Sequence, residues 1–160
     1  RPTLGVSVMM LMIITGSTAF SQILAFSGAS TGLVEAATGL PLGPLWMVLA
    51  MQLVILLMGC FMEPLSIMML TIPIFFPIVQ ALGLSPIWFA ALMLLNMEMA
   101  TITPPFGLVL FVVKGVAPKG TTIGQVYRAA LPFIACEAAV LILLLVFPGL
   151  VTGLPAMMGR

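Results

Sequence analysis

Between Glu35 and Glu63, and again between Glu63 and Glu98, no charged residue interrupts the chain. Residues 45–58, 65–82 and 87–116 are apolar almost throughout, and so are residues 3–26 and 129–147. A stretch of about 20 such residues is what a helix needs to cross a ~30 Å hydrocarbon core. The whole chain has 160 residues, 62% hydrophobic and 6% charged. A soluble domain is usually about half apolar and about a quarter charged. No water-soluble fold of this size hides so much apolar surface, so the sequence specifies an all-α integral membrane protein with the bilayer as its solvent.

The same composition removes several kinds of function. A net charge of +1 leaves no basic face for nucleic acid. There is no His, which excludes zinc chemistry and His-based triads. With no Asp either, an intramembrane enzyme lacks its nucleophile–base pair or metal site. Cys60 and Cys136 have no metal spacing and sit in apolar runs, so both read as buried, inert thiols. The fourteen Met residues read as packing filler. The chain opens at Arg1 and reads as part of something longer.

Five segments follow. Residues 3–26 form a first span, with small polar residues Thr15, Gly16, Ser17 and Thr18 that favour close helix packing. Residues 27–44 hold Glu35, four glycines and two prolines, and read as an interfacial segment with a short helix. Residues 45–82 are two apolar arms joined by Gly59-Cys60-Phe61-Met62-Glu63-Pro64. That joint has one acid and no Lys or Arg, unlike a loop in water. It fits either a re-entrant hairpin with its tip buried at membrane depth or two full spans with a short turn. Residues 87–116 are thirty apolar residues, too many for one upright helix. Thr101-Ile102-Thr103-Pro104-Pro105-Phe106-Gly107 breaks them. Two prolines remove two amide donors, and the residue before a proline is pushed towards extended backbone. The helix should stop near Thr101 and restart near Pro105, where proline suits a first turn. The last span covers residues 123–150, entered by a helical turn at the membrane surface over 123–128.

Lys114, Lys119 and Arg128 surround one loop, which the positive-inside rule makes cytoplasmic. The turn at residues 83–86 and the Glu35 segment then lie outside, and Arg1 returns inside. Both readings of residues 45–82 agree with this orientation.

Interrupted helices are where membrane proteins build binding sites. A break leaves partly negative carbonyls at the end of one half-helix, which can hold Na⁺. It leaves partly positive amides at the start of the next, which can hold a carboxylate. This chain has two breaks, at residues 59–64 and 100–107, whose tips could meet at mid-depth. The Thr101 and Thr103 hydroxyls suit a hard cation, while Glu63, Pro64, Thr101, Pro104 and Pro105 shape the tips or the substrate path. A charge at that depth costs roughly 2.5–3.5 kcal/mol on insertion scales unless it is paired or wet. Glu63 is therefore expected to orient its turn, Glu98 to pack or to couple, and Glu137 to make an interhelical hydrogen bond.

The joint at residues 59–64, the arm with Pro73 and Pro77, the run Asn96-Met97-Glu98-Met99-Ala100-Thr101-Ile102-Thr103-Pro104-Pro105-Phe106-Gly107, and the tail Arg128-Ala129-Ala130-Leu131-Pro132-Phe133 together resemble the large permease subunit of TRAP transporters, the DctM type. The resemblance covers essentially the whole chain and corresponds to the C-terminal part of that subunit. It implies an elevator-type secondary transporter of the ion transporter superfamily, Na⁺-coupled, without other cofactors and without transition metals. It implies that residues 45–82 are the re-entrant hairpin and residues 87–116 the Pro-Pro broken transmembrane helix. It implies Na⁺ ligands near Gly59 and near Ala100, Thr103 and Phe106, mostly backbone oxygens with the Thr103 hydroxyl. Glycine is common in the family at the position of Ala100, and aspartate at that of Glu63. Also implied are a multi-pass place in a bacterial inner membrane, a small DctQ-type subunit, a DctP-type solute-binding protein, and carboxylate solutes such as C4-dicarboxylates. The competing readings are a citrate- or arsenite-type carrier and a non-transporting membrane assembly subunit.

Overall fold

A computed structural model describes residues 26–39, 41, 43–103, 107–118 and 120–158, and nearer the chain start residues 8, 11, 12, 14–16, 18–20, 22 and 23. Half of the first expected span therefore lies outside the described residues, as do Lys119, Arg1 and Arg160. Those described between 8 and 23 are helical, and the Thr15 and Thr18 hydroxyls donate to the carbonyls of Leu11 and Ile14, both at 2.8 Å.

All the regular structure described is helical: α1 Ala29–Thr38, α2 Pro44–Gly59, α3 Pro64–Ala81, α4 Pro86–Ile102, α5 Leu108–Val116, α6 Ile123–Val146 and α7 Gly149–Met158. Proline sets three of the starts. Pro44, Pro64 and Pro86 each occupy the first turn behind Gly43, Glu63 and Ser85. An amide is unbonded there anyway, and the fixed proline φ already suits a helix. Thr122 begins α6 with a capping box: its N–H donates to Gln125 Oε1 at 2.8 Å, and Gln125 N–H returns to Thr122 Oγ1 at 3.3 Å. Among the described residues two helices, α3 and α6, are long and apolar enough to cross a membrane.

Two expected boundaries shift. The broken helix ends at Ile102, and α5 begins at Leu108 rather than near Pro105. Gly107 stands between them with φ +43° and ψ 72°, a left-handed conformation that no helix can pass through. The helical turn expected at residues 123–128 is the start of α6. At its other end the span over 123–150 divides, because Phe147 leaves helical geometry (φ −119°, ψ 73°) ahead of Pro148.

Helix α4 is the hub. It packs on α2, α3, α5, α6 and α7, while α1 lies on α3. The core between α2, α3 and α4 holds Val48, Ile55, Ile67, Val79, Phe89 and Leu92, all fully buried. Phe75 and Phe76 of α3 stand edge-on to the Phe89 ring at 6.3 and 5.9 Å. A smaller cluster of Leu110, Val126 and Ala130 joins α5 to α6. Trp88, in the first turn of α4, donates from Nε1 to the Leu144 carbonyl at 2.7 Å. That carbonyl needs it: the residue four further on is Pro148, which has no N–H to offer. Cys60 is buried as expected, whereas Cys136 is exposed on the outer face of α6. The reading of a buried thiol therefore does not hold for Cys136 among the described residues.

Candidate functional site

The site forms where α2 and α4 end. The two helices run in the same direction, since their contacts pair Gln52 with Asn96 and then Gly59 with Ala100, each step moving towards the C-terminus. At Gly59 the approach is so close that an added Cβ would collide with the Cβ of Ala100. Its next neighbours are Ala100 Cα at 3.6 Å and Ile67 Cδ1 at 3.8 Å. Gly59 is thus required for its lack of a side chain, and the two breaks read from the sequence are brought side by side.

At both ends a proline four residues on leaves a carbonyl without its normal donor. A continuing α4 would bond the Ala100 and Thr101 carbonyls to the amides of residues 104 and 105, but both are proline. Ala100 takes the Thr103 N–H instead, at 3.2 Å. At the end of α2, the Met58 carbonyl accepts from Phe61 (3.0 Å) and Met62 (2.9 Å). The Cys60 carbonyl faces the same deficit, because residue 64 is proline. The last turn of a helix carries roughly −0.5 of a charge in its carbonyls. Two such ends, parallel and adjacent, repel one another and concentrate negative potential.

The threonines add oxygen. Thr103 Oγ1 donates to the Met99 carbonyl at 2.7 Å, which directs the hydroxyl proton back into the helix and leaves the oxygen lone pairs for another partner. Thr101, buried, donates to the Glu98 carbonyl at 2.8 Å. Among the described residues the breaks thus offer carbonyl and hydroxyl oxygen, the donor type that suits a hard cation. Pro104, Pro105 and Phe106 lie outside the described residues.

Glu63 is exposed and caps α3: its Oε1 accepts from Ser66 N–H at 3.2 Å and Ser66 Oγ at 3.1 Å. With Pro64 it begins the returning arm. Glu98 is exposed. Glu137 departs from expectation. Its Oε2 is buried and has no hydrogen-bond partner among the described residues, beside an apolar groove of about 330 Å³ between α5 and α6. Helix α6 meets α4 there through Ile102 and small side chains such as Ala129 and Ala130, which leave no donor for it.

Sequence reasoning missed the buried pair Gln52 and Asn96. The signal was present: Gln52 is the one polar side chain in α2.

A match to known proteins fits this arrangement. Residues 2–150 match the family model described as "Tripartite ATP-independent periplasmic transporter, DctM component". The chain belongs to this family. Its members are transport permeases, not enzymes. The chain is 36% identical, over 96% of its length and 35% of the relative, to the C4-dicarboxylate TRAP transporter large permease protein DctM of Pseudomonas aeruginosa. It is 32% identical, over 91% of its length and 23% of the relative, to the isethionate TRAP transporter permease protein DctMQ of Oleidesulfovibrio alaskensis. To the sialic acid TRAP transporter large permease protein SiaM of Vibrio cholerae it is 28% identical, over 97% of its length and 36% of the relative. The chain thus spans about a third or less of these relatives.

Proposed function

We propose that this chain is the cation-binding C-terminal part of a Na⁺-coupled TRAP permease that imports organic acids, C4-dicarboxylates first among them. The observation that carries the reading is the contact of Gly59 with Ala100, which sets two negative helix ends against each other. A monovalent cation between them neutralises both. Carbonyls near Gly59 and Ala100, with the Thr103 hydroxyl and the backbone at Phe106, would hold it. The three relatives are named for different organic acids, and C4-dicarboxylate is the name on the most similar of them. The fused DctMQ relative supports a DctQ-type partner, and the family description supports a solute-binding partner of the DctP type and an inner-membrane, multi-pass location.

Helix lengths support the re-entrant hairpin. Helix α2 has 16 residues, or roughly 24 Å at about 1.5 Å each, short of a ~30 Å core. It ends level with Ala100, yet from there the chain still has the nine residues of α5 to run before the basic loop. A tip at that level stays inside the protein. Moving with α4, the hairpin would carry the bound solute and cation across as one body, which is the elevator reading.

The test is uptake against Na⁺ concentration in the complete subunit with its partners. Thr103→Val keeps the shape and removes one oxygen among several. It should express normally and need about three- to tenfold more Na⁺ for half-maximal uptake, the weight of one hydrogen bond or ligand. Thr103→Ser should stay near wild type. Unchanged Na⁺ dependence in Thr103→Val would move the site elsewhere.

A further inference from the structure

We propose that Gln52 and Asn96 are a positioning pair that fixes how the two helix ends meet, and through that the cation preference of the site. The inference rests on the cation reading above and concerns residues that touch no ligand.

The pair lies in the same seam as the Gly59–Ala100 contact, two turns before Gly59 on α2 and about one turn before Ala100 on α4. Both residues are deeply buried, at 4% and 2% exposure. Asn96 Nδ2 donates to the Gln52 backbone carbonyl at 2.6 Å and to Gln52 Oε1 at 2.8 Å. These bonds fix both amides. A backbone carbonyl can only accept, so the Asn96 nitrogen must face it, and Gln52 must then turn its oxygen to the same nitrogen. Gln52 Nε2 is left buried with no partner among the described residues.

That orphaned donor argues against a role in stability alone. Two apolar side chains of similar size would fill the seam with nothing unsatisfied. What apolar side chains cannot supply is direction. Helices packed through Val, Leu and Met in a bilayer are held by contacts that tolerate sliding and rotation. A slip of one residue turns a helix by about 100° and would take Gly59 off Ala100. The Asn96 amide bonds both the main chain and the side chain of Gln52, so it accepts only one register. The spacing of the carbonyl ends follows from that register, and spacing decides which alkali cation fits.

The test uses the complete subunit with its partners, measuring uptake driven by Na⁺ and by Li⁺, with thermal melting in detergent alongside. Asn96→Leu should raise the half-maximal Na⁺ concentration by about three- to tenfold, the equivalent of one buried hydrogen bond. The double variant Gln52→Leu with Asn96→Leu leaves no orphaned side-chain amide. It should melt near wild type yet keep the raised Na⁺ requirement and discriminate Na⁺ from Li⁺ less. The exchange Gln52→Asn with Asn96→Gln keeps both amides and moves their meeting point by one methylene; it too should alter the Li⁺ to Na⁺ ratio. A double variant with wild-type Na⁺ dependence and ion ratio would show that the pair only satisfies itself, and would overturn the proposal. An exchange variant that keeps the wild-type ratio would overturn it as well. If wild-type uptake ignores Na⁺, it is the underlying cation reading that fails.

Discussion

A methyl group at position 59 has nowhere to go, because the space it would fill is held by Ala100. Gly59→Ala must push α2 away from α4, and overpacking of this kind typically costs about 1–3 kcal/mol. We expect the complete subunit carrying Gly59→Ala to melt several degrees lower and to need more Na⁺ for uptake. Ala100→Gly removes the opposing methyl and should cost no more than about 1 kcal/mol in helix propensity. Combining the two should restore most of both properties. A double variant as unstable as Gly59→Ala would mean that some other neighbour limits the site. Which two residues touch was not legible from the sequence. A glycine near a helix end reads equally as a cap, a hinge or a close approach, and only the family resemblance singled out Gly59 and Ala100. The Thr103 hydroxyl was legible as an oxygen source, but not the direction of its proton, which depends on helical geometry back to Met99.

At the scale of helices, proline made most boundaries readable. Pro44, Pro64 and Pro86 mark starts, and Pro104 with Pro105 marks the break. Backbone beyond the prolines was less readable. Gly107 lengthens the break through a left-handed φ that its neighbours' side chains do not announce. The end of α6 at Val146 depends on Phe147 leaving helical geometry, which an apolar run conceals. The joint between α2 and α3 carries a measurable consequence. Phe61 is exposed at the tip of that joint, and the re-entrant reading puts the tip at membrane depth. With Cys60 and Cys136 replaced by Ala, a Phe61→Cys subunit should label poorly with an impermeant thiol reagent added from the cytoplasm. Strong labelling regardless of substrate would favour two full spans.

Across the whole molecule, the two breaks act as one object only if α2 and α4 keep their contact while the protein works. A short crosslink between cysteines introduced near Gly59 and near Thr103 should therefore leave both inward- and outward-facing states reachable and uptake largely intact. A crosslink that trapped one state with the fold preserved would make the hairpin a separate gate. The indole bond from Trp88 to Leu144 extends this to α6. It anchors the far end of α4 to a carbonyl that Pro148 leaves unsatisfied, and so ties the last long helix to the same body. In the elevator reading proposed above α6 then belongs to the moving body, and it meets its neighbours through Leu131, Phe133, Val140, Ile142, Leu143 and Val146, which are exposed. Those six side chains carry no hydrogen-bonding group. A surface of that kind forms no directional bond with lipid or protein, so a neighbour can pass along it without any bond having to break, as a bearing requires.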